Sequence, residues 1–265
     1  MPRRSRYDKY RALALNPLSE RHDTANYAPV AQWIRASVFG TEGRGFESLP
    51  VYQTKSPLRA GFLFGLLVSF IFYTKEYTES MEYMDILRQG SVYAAENLIG
   101  WRLYVREVDG SLTGGVIAET EAYTPEDKAS HTHKGETLRN GAMYRGAGTV
   151  YVYFSYGMHW CMNLVAGTKG SGEGLLLRSI IPDKGIEIMR QRRNYQVDKL
   201  LTNGPGKVCQ ALGVTGTDNG ALLAEGRFIL LPPDGSLRVA VTATPRIGIS
   251  RDTHRLWRFV LQADS

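Results

Sequence analysis

Two glutamates two positions apart are the first residues in this sequence that can do chemistry. In the stretch Ile117-Ala118-Glu119-Thr120-Glu121-Ala122-Tyr123 the residue types suit a β-strand. Strand side chains alternate, so Glu119, Glu121 and Tyr123 share one face, and Val116, Ala118, Thr120 and Ala122 share the other. A half-buried pair of carboxylates is costly unless it is paired or solvated. Repulsion and burial together raise at least one pKa, which suits a general base. The plainer reading is a face that is simply wet. A second stretch, Tyr151 to Trp160, is dense in aromatics. Tyr151 and Tyr153 share a strand face, and Tyr156 falls at a turn that the core cannot easily cover. An exposed aromatic there can stack on nucleobases or wedge between them. The plainer reading is core packing.

Other candidates are weaker. His131, His133, His159, Cys161 and Cys209 show no spacing typical of structural zinc, so no metal and no cofactor are expected. Gly167–Gly174 lacks the Gly-Lys-Ser/Thr ending of a phosphate loop. Asn203-Gly204-Pro205-Gly206-Lys207 precedes a helical pattern, and free N–H groups there can hold a backbone phosphate. An ordinary helix start explains it equally well. No serine or cysteine sits in a nucleophile elbow.

These residues need elements to position them, and the patterns from Met84 onward agree with one another. Helical spacing covers Asp85–Ile99, with Gly100 as the stop. Trp101–Val108 and Thr113–Tyr123 read as a hairpin around Asp109-Gly110-Ser111. A polar loop spans 124–147. Strands at Thr149–Phe154 and His159–Val165 flank Ser155-Tyr156-Gly157, and Leu175–Ile181 is a further strand. Pro182 opens a helix through Arg193, and another covers Gly206–Leu212. Strands near 227–232, 237–242 and 256–262 close the chain. The class is α+β, a single domain around a mostly antiparallel sheet.

The chain has 265 residues, of which 43% are hydrophobic and 22% charged, which excludes wholesale disorder. Two cysteines exclude a disulfide scaffold and suit a reducing compartment. The net charge of +6 favours an anionic partner. Residues through 83 carry 11 Lys and Arg against 8 Asp and Glu, and the remainder 21 against 18, so charge locates no binding face. Residues 1–83 do not read as a domain. The apolar run Gly61–Tyr73 spans roughly 20 Å as a helix, short of the ~30 Å hydrocarbon core, so no membrane partner is expected. Residues 31–53 look like the conceptual translation of a transfer-RNA gene. Phe46-Glu47-Ser48 can be encoded by a T-arm sequence, TTCGAATCC, and Ala31-Gln32-Trp33-Ile34 can be encoded by a D-arm sequence. On that reading residues 1–83 are a disordered, non-native extension, and the functional domain is 84–265.

Four blocks then carry a resemblance. GGVIAETEAYTPEDKASH, RNGAMYRGAGTVYVYFSYGMHWCMN, GLLLRSIIPDKGIEIMRQRR and NGPGKVCQALGV, in this order, resemble the alkyladenine (3-methyladenine) DNA glycosylase family. The resemblance runs from about Leu98 to Leu261. It implies a curved antiparallel sheet with a protruding hairpin that enters DNA. It also implies hydrolysis of the N-glycosidic bond of alkylated or deaminated purines in base excision repair, without metal or lyase step. By the same resemblance Glu121 activates water, Arg178 positions it, and Tyr123, His131 and Tyr153 hold the flipped base. Asn163 discriminates against the guanine amino group, and Tyr156 intercalates. The implied partner is double-stranded DNA with damaged purines, bound by a monomer in the cytoplasm, at the nucleoid in a bacterium. The loop between Tyr123 and His131 is one residue shorter than in mammalian relatives, which bears on the bases the pocket accepts. The rival expectation is a non-catalytic nucleic-acid-binding protein of the same fold.

Overall fold

The computed structural model describes residues 82–194, 197–233 and 240–262, and the expectations for residues 1–81 lie outside them. Residues 82–88 are helical, followed by α1 (Ser91–Asn97). The expected single helix Asp85–Ile99 is therefore interrupted. Gly90 takes φ +99°, a conformation glycine adopts without steric cost. The Glu173 carboxylate then accepts from the Ser91 N–H at 2.9 Å, so the second helix starts on an anionic cap.

The strands are β1 (Arg102–Arg106), β2 (Leu112–Tyr123), β3 (Val150–Ser155), β4 (His159–Ala166), β5 (Glu173–Lys184), β6 (Phe228–Leu231), β7 (Val241–Thr244) and β8 (Arg258–Leu261). They form one curled sheet in the order β3-β4-β5-β2-β1-β6, with β8 joining β2 to β7, and every pairing is antiparallel. The helices α2 (Ile186–Arg193) and α3 (Pro205–Leu212) follow β5. Pro182 does not open a helix: it lies in β5 opposite Gly115. The helix waits for Gly185, whose φ of +67° turns the chain off the strand. The last strands are shorter than the pattern suggests. β7 begins at Val241, and residues 237–239 of the expected strand lie outside the described residues.

The main core gathers Leu87, Leu98, Leu103, Ile117, Leu164 and Leu177, all fully buried, under α1 and α3. Burial of such side chains stabilises the fold by about 1.5–3 kcal/mol each. A small second cluster of Ala142, Met143, Tyr151 and Val165, with Tyr144 and Tyr153 packed against it, lies apart from it. That cluster supports the site.

The central strand β2 changes partners along its length. Its first half pairs with β1 as far as Val116, and its second half pairs with β8 from Glu119. At the switch the register with β5 slips twice. Ile117 faces Ile180 and Glu119 faces Ser179, so Ala118 is extra. Thr120 then faces Leu177, so Arg178 is extra. Such bulges bend a strand and re-aim a side chain. They also correct the expected alternation: Ile117 joins Thr120 and Ala122 in the interior, whereas Val116 and Ala118 are only half-buried. Glu119, Glu121 and Tyr123 keep their common face.

Candidate active site

The bulged Arg178 meets both glutamates. Its Nε donates to Glu119 Oε1 at 2.8 Å, and its Nη1 to Glu121 Oε2 at 3.3 Å. Arg258 on β8 donates from Nε to the same Glu119 oxygen at 2.5 Å. Glu119 is thus clamped between two arginines. Burial pushes its pKa up, but the hydrogen bonds and charges of Arg258 and Arg178 win, and it lies below the usual carboxylate value. The rise expected for at least one of the two carboxylates is therefore not found at Glu119, because its two arginines offset burial and repulsion. Arg178 is held in its charged form by the two carboxylates against the cost of burial.

Glu121 is completely buried, so the reading of a wet face does not hold for it. Oε2 also accepts from the Tyr123 hydroxyl at 2.9 Å, and Oε1 accepts from the Ile247 N–H at 2.7 Å. Two donors on Oε2 against one on Oε1 leave spare acceptor capacity on Oε1. Burial, then the Glu121 charge, raise the Tyr123 pKa, so this phenol stays a donor.

Above this carboxylate lies a cleft of about 480 Å³. Tyr123, His131, Tyr151, Tyr153, Asn163 and Arg178 all line it, as does Tyr156 at its rim. Glu121 sits behind Tyr123, Arg178 and Ile247 rather than on the cleft surface. The aromatic wall is ordered by contact. Tyr151 and Tyr153 stack at 5.5 Å between centroids, and the His131 ring meets Tyr153 edge-on at 4.4 Å. His131 Nδ1 lies 3.0 Å from the Tyr151 hydroxyl. One face of His131 is open to the cleft, yet desolvation by the surrounding protein, and then the Arg139 charge, lower its pKa and favour the neutral ring. Burial pushes Tyr151 up to about 12 and raises Tyr153 as well. Asn163 is buried, and its Nδ2 donates to the Tyr151 carbonyl at 3.2 Å. The two readings of the aromatic stretch therefore divide by residue: Tyr151 is core, while Tyr153 is half-buried and faces the cleft.

Tyr156 occupies the tip of the β3–β4 hairpin with 83% of its surface exposed. The Met158 N–H closes the turn on the Ser155 carbonyl at 3.0 Å. Tyr156 and Gly157 have φ of +50° and +67°, the signature of the tight turn that matches strand twist. Non-glycine residues rarely take this conformation.

Cys161 and Cys209 are free, buried thiols whose pKa values burial raises, and Cys161 also lines the cleft. Among the described residues no group of three His, Cys, Asp or Glu could hold a metal ion, and no helix is long and apolar enough to cross a membrane. At Asn203–Lys207, Gly204 begins α3 with no side-chain cap, and Lys207 Nζ donates to Asn203 Oδ1 at 2.7 Å. Sequence reasoning missed Ile247, Arg258, Arg139 and the buried Arg246–Asp127 ion pair beside Tyr123. The motif Pro245-Arg246-Ile247-Gly248-Ile249, an arginine amid a turn-like segment, was the available signal.

The family model described as Methylpurine-DNA glycosylase (MPG) matches residues 85–265. The chain belongs to the methylpurine-DNA glycosylase family. It is accordingly a DNA glycosylase. A protein of Nitrosospira multiformis, provisionally named 3-methyladenine DNA glycosylase, is 45% identical over 171 residues, which cover 64% of this chain and 85% of that protein. A protein of the same provisional name from Agrobacterium fabrum is 48% identical over 153 residues, 57% of this chain and 76% of that one. A third from Rubrobacter xylanophilus is 39% identical over 165 residues, 62% of this chain and 85% of that one. The family match takes in every residue of the Glu121 site and the whole of the Tyr156 hairpin.

Proposed function

We propose that this glycosylase removes alkylated or deaminated purines, of the 3-methyladenine, 7-methylguanine and hypoxanthine class, from duplex DNA by hydrolysis. The observation that carries the reading is the fully buried Glu121, held by three donors beneath an aromatic cleft that opens beside an exposed tyrosine tip. A base inside a duplex hides its sugar bond, so it must be extruded at a cost of a few kcal/mol. Tyr156 fills the gap that the base leaves. The base enters between Tyr123, His131 and Tyr153, whose ring faces attract an electron-poor or cationic purine. A neutral His131 adds no repulsion to that attraction. Asn163, fixed by the Tyr151 carbonyl, stands at the cleft wall and discriminates against the guanine amino group, so ordinary guanine is disfavoured, while 7-methylguanine, which carries the same group, relies on the activated bond of its cationic ring.

Arg178 steers a water molecule towards Glu121, and Oε1 is the oxygen with room to take its proton. The water oxygen bonds to the anomeric carbon as the carbon–nitrogen bond breaks, and the bonding pair leaves with the base. An N-alkylated purine leaves as a neutral molecule. Hypoxanthine leaves as an anion unless it is protonated, so it depends more on polar groups around the leaving base. No lysine nucleophile takes part, and the product is an intact abasic strand.

The test is base release under single-turnover conditions from methylated duplex DNA and from a hypoxanthine duplex. Glu121→Gln keeps the shape and loses the proton acceptor. It is expected to bind lesion DNA without releasing the base. A variant rate within about tenfold of the native rate, or 1.4 kcal/mol of barrier, would remove Glu121 from this role. Strand cleavage by the pure native protein without alkali would contradict the hydrolytic route.

A further inference from the structure

We infer that Arg246 is a positioning residue for the general base: bound to Asp127 in the interior, it holds both the Tyr123 ring and the Ile247 peptide against Glu121. The inference rests on the reading of Glu121 as that base.

The side chains of Arg246 and Asp127 are both wholly buried and form an ion pair through Arg246 Nη1. The same nitrogen donates at 2.8 Å to the carbonyl of Ala122, the residue between Glu121 and Tyr123. The guanidinium carbon lies 4.6 Å from the Tyr123 ring centroid and 5.4 Å from that of Trp257. Its Nε and Nη2 are buried without hydrogen-bond partners. Planar guanidinium stacking on aromatic faces suits this arrangement, and a lysine ammonium does not reproduce it. The next residue in the chain, Ile247, gives its N–H to Glu121 Oε1. Asp127 in turn accepts from the Ala129 N–H at 3.0 Å, within the loop that leads to His131. One cation thus ties together the end of β2, the base-binding loop and the segment at 245–249.

Stability alone does not explain such a pair. Removing two charges from water is expensive, and well-packed apolar replacements of buried ion pairs are often as stable or more so. What apolar side chains cannot supply is a directional tie to a carbonyl, a carboxylate and a ring at once. Two of the three donors on Glu121, the Tyr123 hydroxyl and the Ile247 N–H, are held by groups that touch Arg246 or adjoin it. The third, Arg178, comes from β5 and is held independently by Glu119, with Arg258 opposite Glu121 on β8. Arg246 therefore acts through Tyr123 and Ile247, and its loss leaves the Arg178 contact in place.

The experiment compares Arg246→Met, Arg246→Lys and the double variant Asp127→Asn/Arg246→Met, which contains neither buried charge and retains an acceptor for Ala129. Each is assayed for melting temperature and for affinity to a duplex with a tetrahydrofuran abasic analogue. Single-turnover base release from methylated duplex DNA is then measured, with Glu121→Gln alongside. The expected result is that the double variant melts near the native protein and binds the duplex within about threefold. It releases base about tenfold more slowly or worse. The loss lies in the rate and not in the affinity, a split that a merely structural role would not produce. Arg246→Lys restores the charge but not the rate. A native rate in the double variant would overturn the inference, as would a loss confined to binding. If the double variant fails to fold, the pair is a fold element and the inference falls. Activity in Glu121→Gln would defeat the base assignment itself. An inactive Glu121→Gln beside a fully active double variant would defeat only the role of Arg246.

Discussion

Replacing Tyr156 by serine separates a wedge from a core residue. With 83% of its surface exposed at the hairpin tip, Tyr156 buries little in the folded protein. Its loss should change stability by no more than about 0.5 kcal/mol, as for surface substitutions generally. The backbone conformation at φ +50° costs serine much what it costs tyrosine, so the turn gains no strain. The loss on DNA is larger. A base–aromatic stack contributes about 1–3 kcal/mol, which corresponds to roughly 5- to 150-fold in the equilibrium between stacked and flipped base. The variant should therefore melt within a degree or two of the native protein while base release from matched duplexes falls by that factor. Opposite a mismatch or an abasic site unstacking costs less, and the deficit should shrink. Melting curves and single-turnover rates on both duplex types provide the comparison. Melting several degrees lower, with equal loss on both duplexes, would refute the wedge.

Two further outcomes follow from the clamp and the first described helix. Because Glu119 titrates below the usual carboxylate value when folded, its contribution is complete above the unfolded value near 4.5. It is lost as pH falls through the folded value. Glu119→Gln should therefore flatten the acid side of the melting-temperature profile below about pH 4.5 and slow base release by loosening Arg178, and an unchanged acid slope would count against the clamp. Tyr83 is buried to 5% exposure, so a chain starting at Met84 forfeits about 1.5–3 kcal/mol of burial that a chain starting at Met81 keeps. At about 2–4 °C per kcal/mol, the Met84 protein should melt several degrees lower. Equal melting would show that Tyr83 is not part of the working core.

Much of this architecture is legible in the residues because local patterns determine it. The strands at Tyr151 and at His159, with a turn at Tyr156 between them, follow from alternation and from Gly157. The sharing of one face by Glu119, Glu121 and Tyr123 follows from the period of two. What escapes is non-local. The bulges at Ala118 and Arg178 lie where β1 gives way to β8 along one edge of β2 while β5 runs along the other, and no single strand announces them. Pro182 reads as a helix start until Gly115 is seen opposite it. Arg246 lies 119 residues from Asp127 and 124 from Ala122, so no periodicity links them. The mutual repulsion foreseen for the two glutamates is offset by Arg178 of β5, which donates to both, and by Arg258 of β8, which donates to Glu119.

The two cysteines bear on the conditions in which such an enzyme works. Electrophiles that methylate purines also methylate thiolates, and a thiolate is the form that reacts. Cys161 and Cys209 are both buried and both held in the protonated form by desolvation. One of them lines the very cleft where alkylated bases are proposed to bind. A reactive sulfur at that position would scavenge the damaging agent and block the pocket with its own adduct. Keeping both thiols buried and protonated makes each a poor target for such an agent.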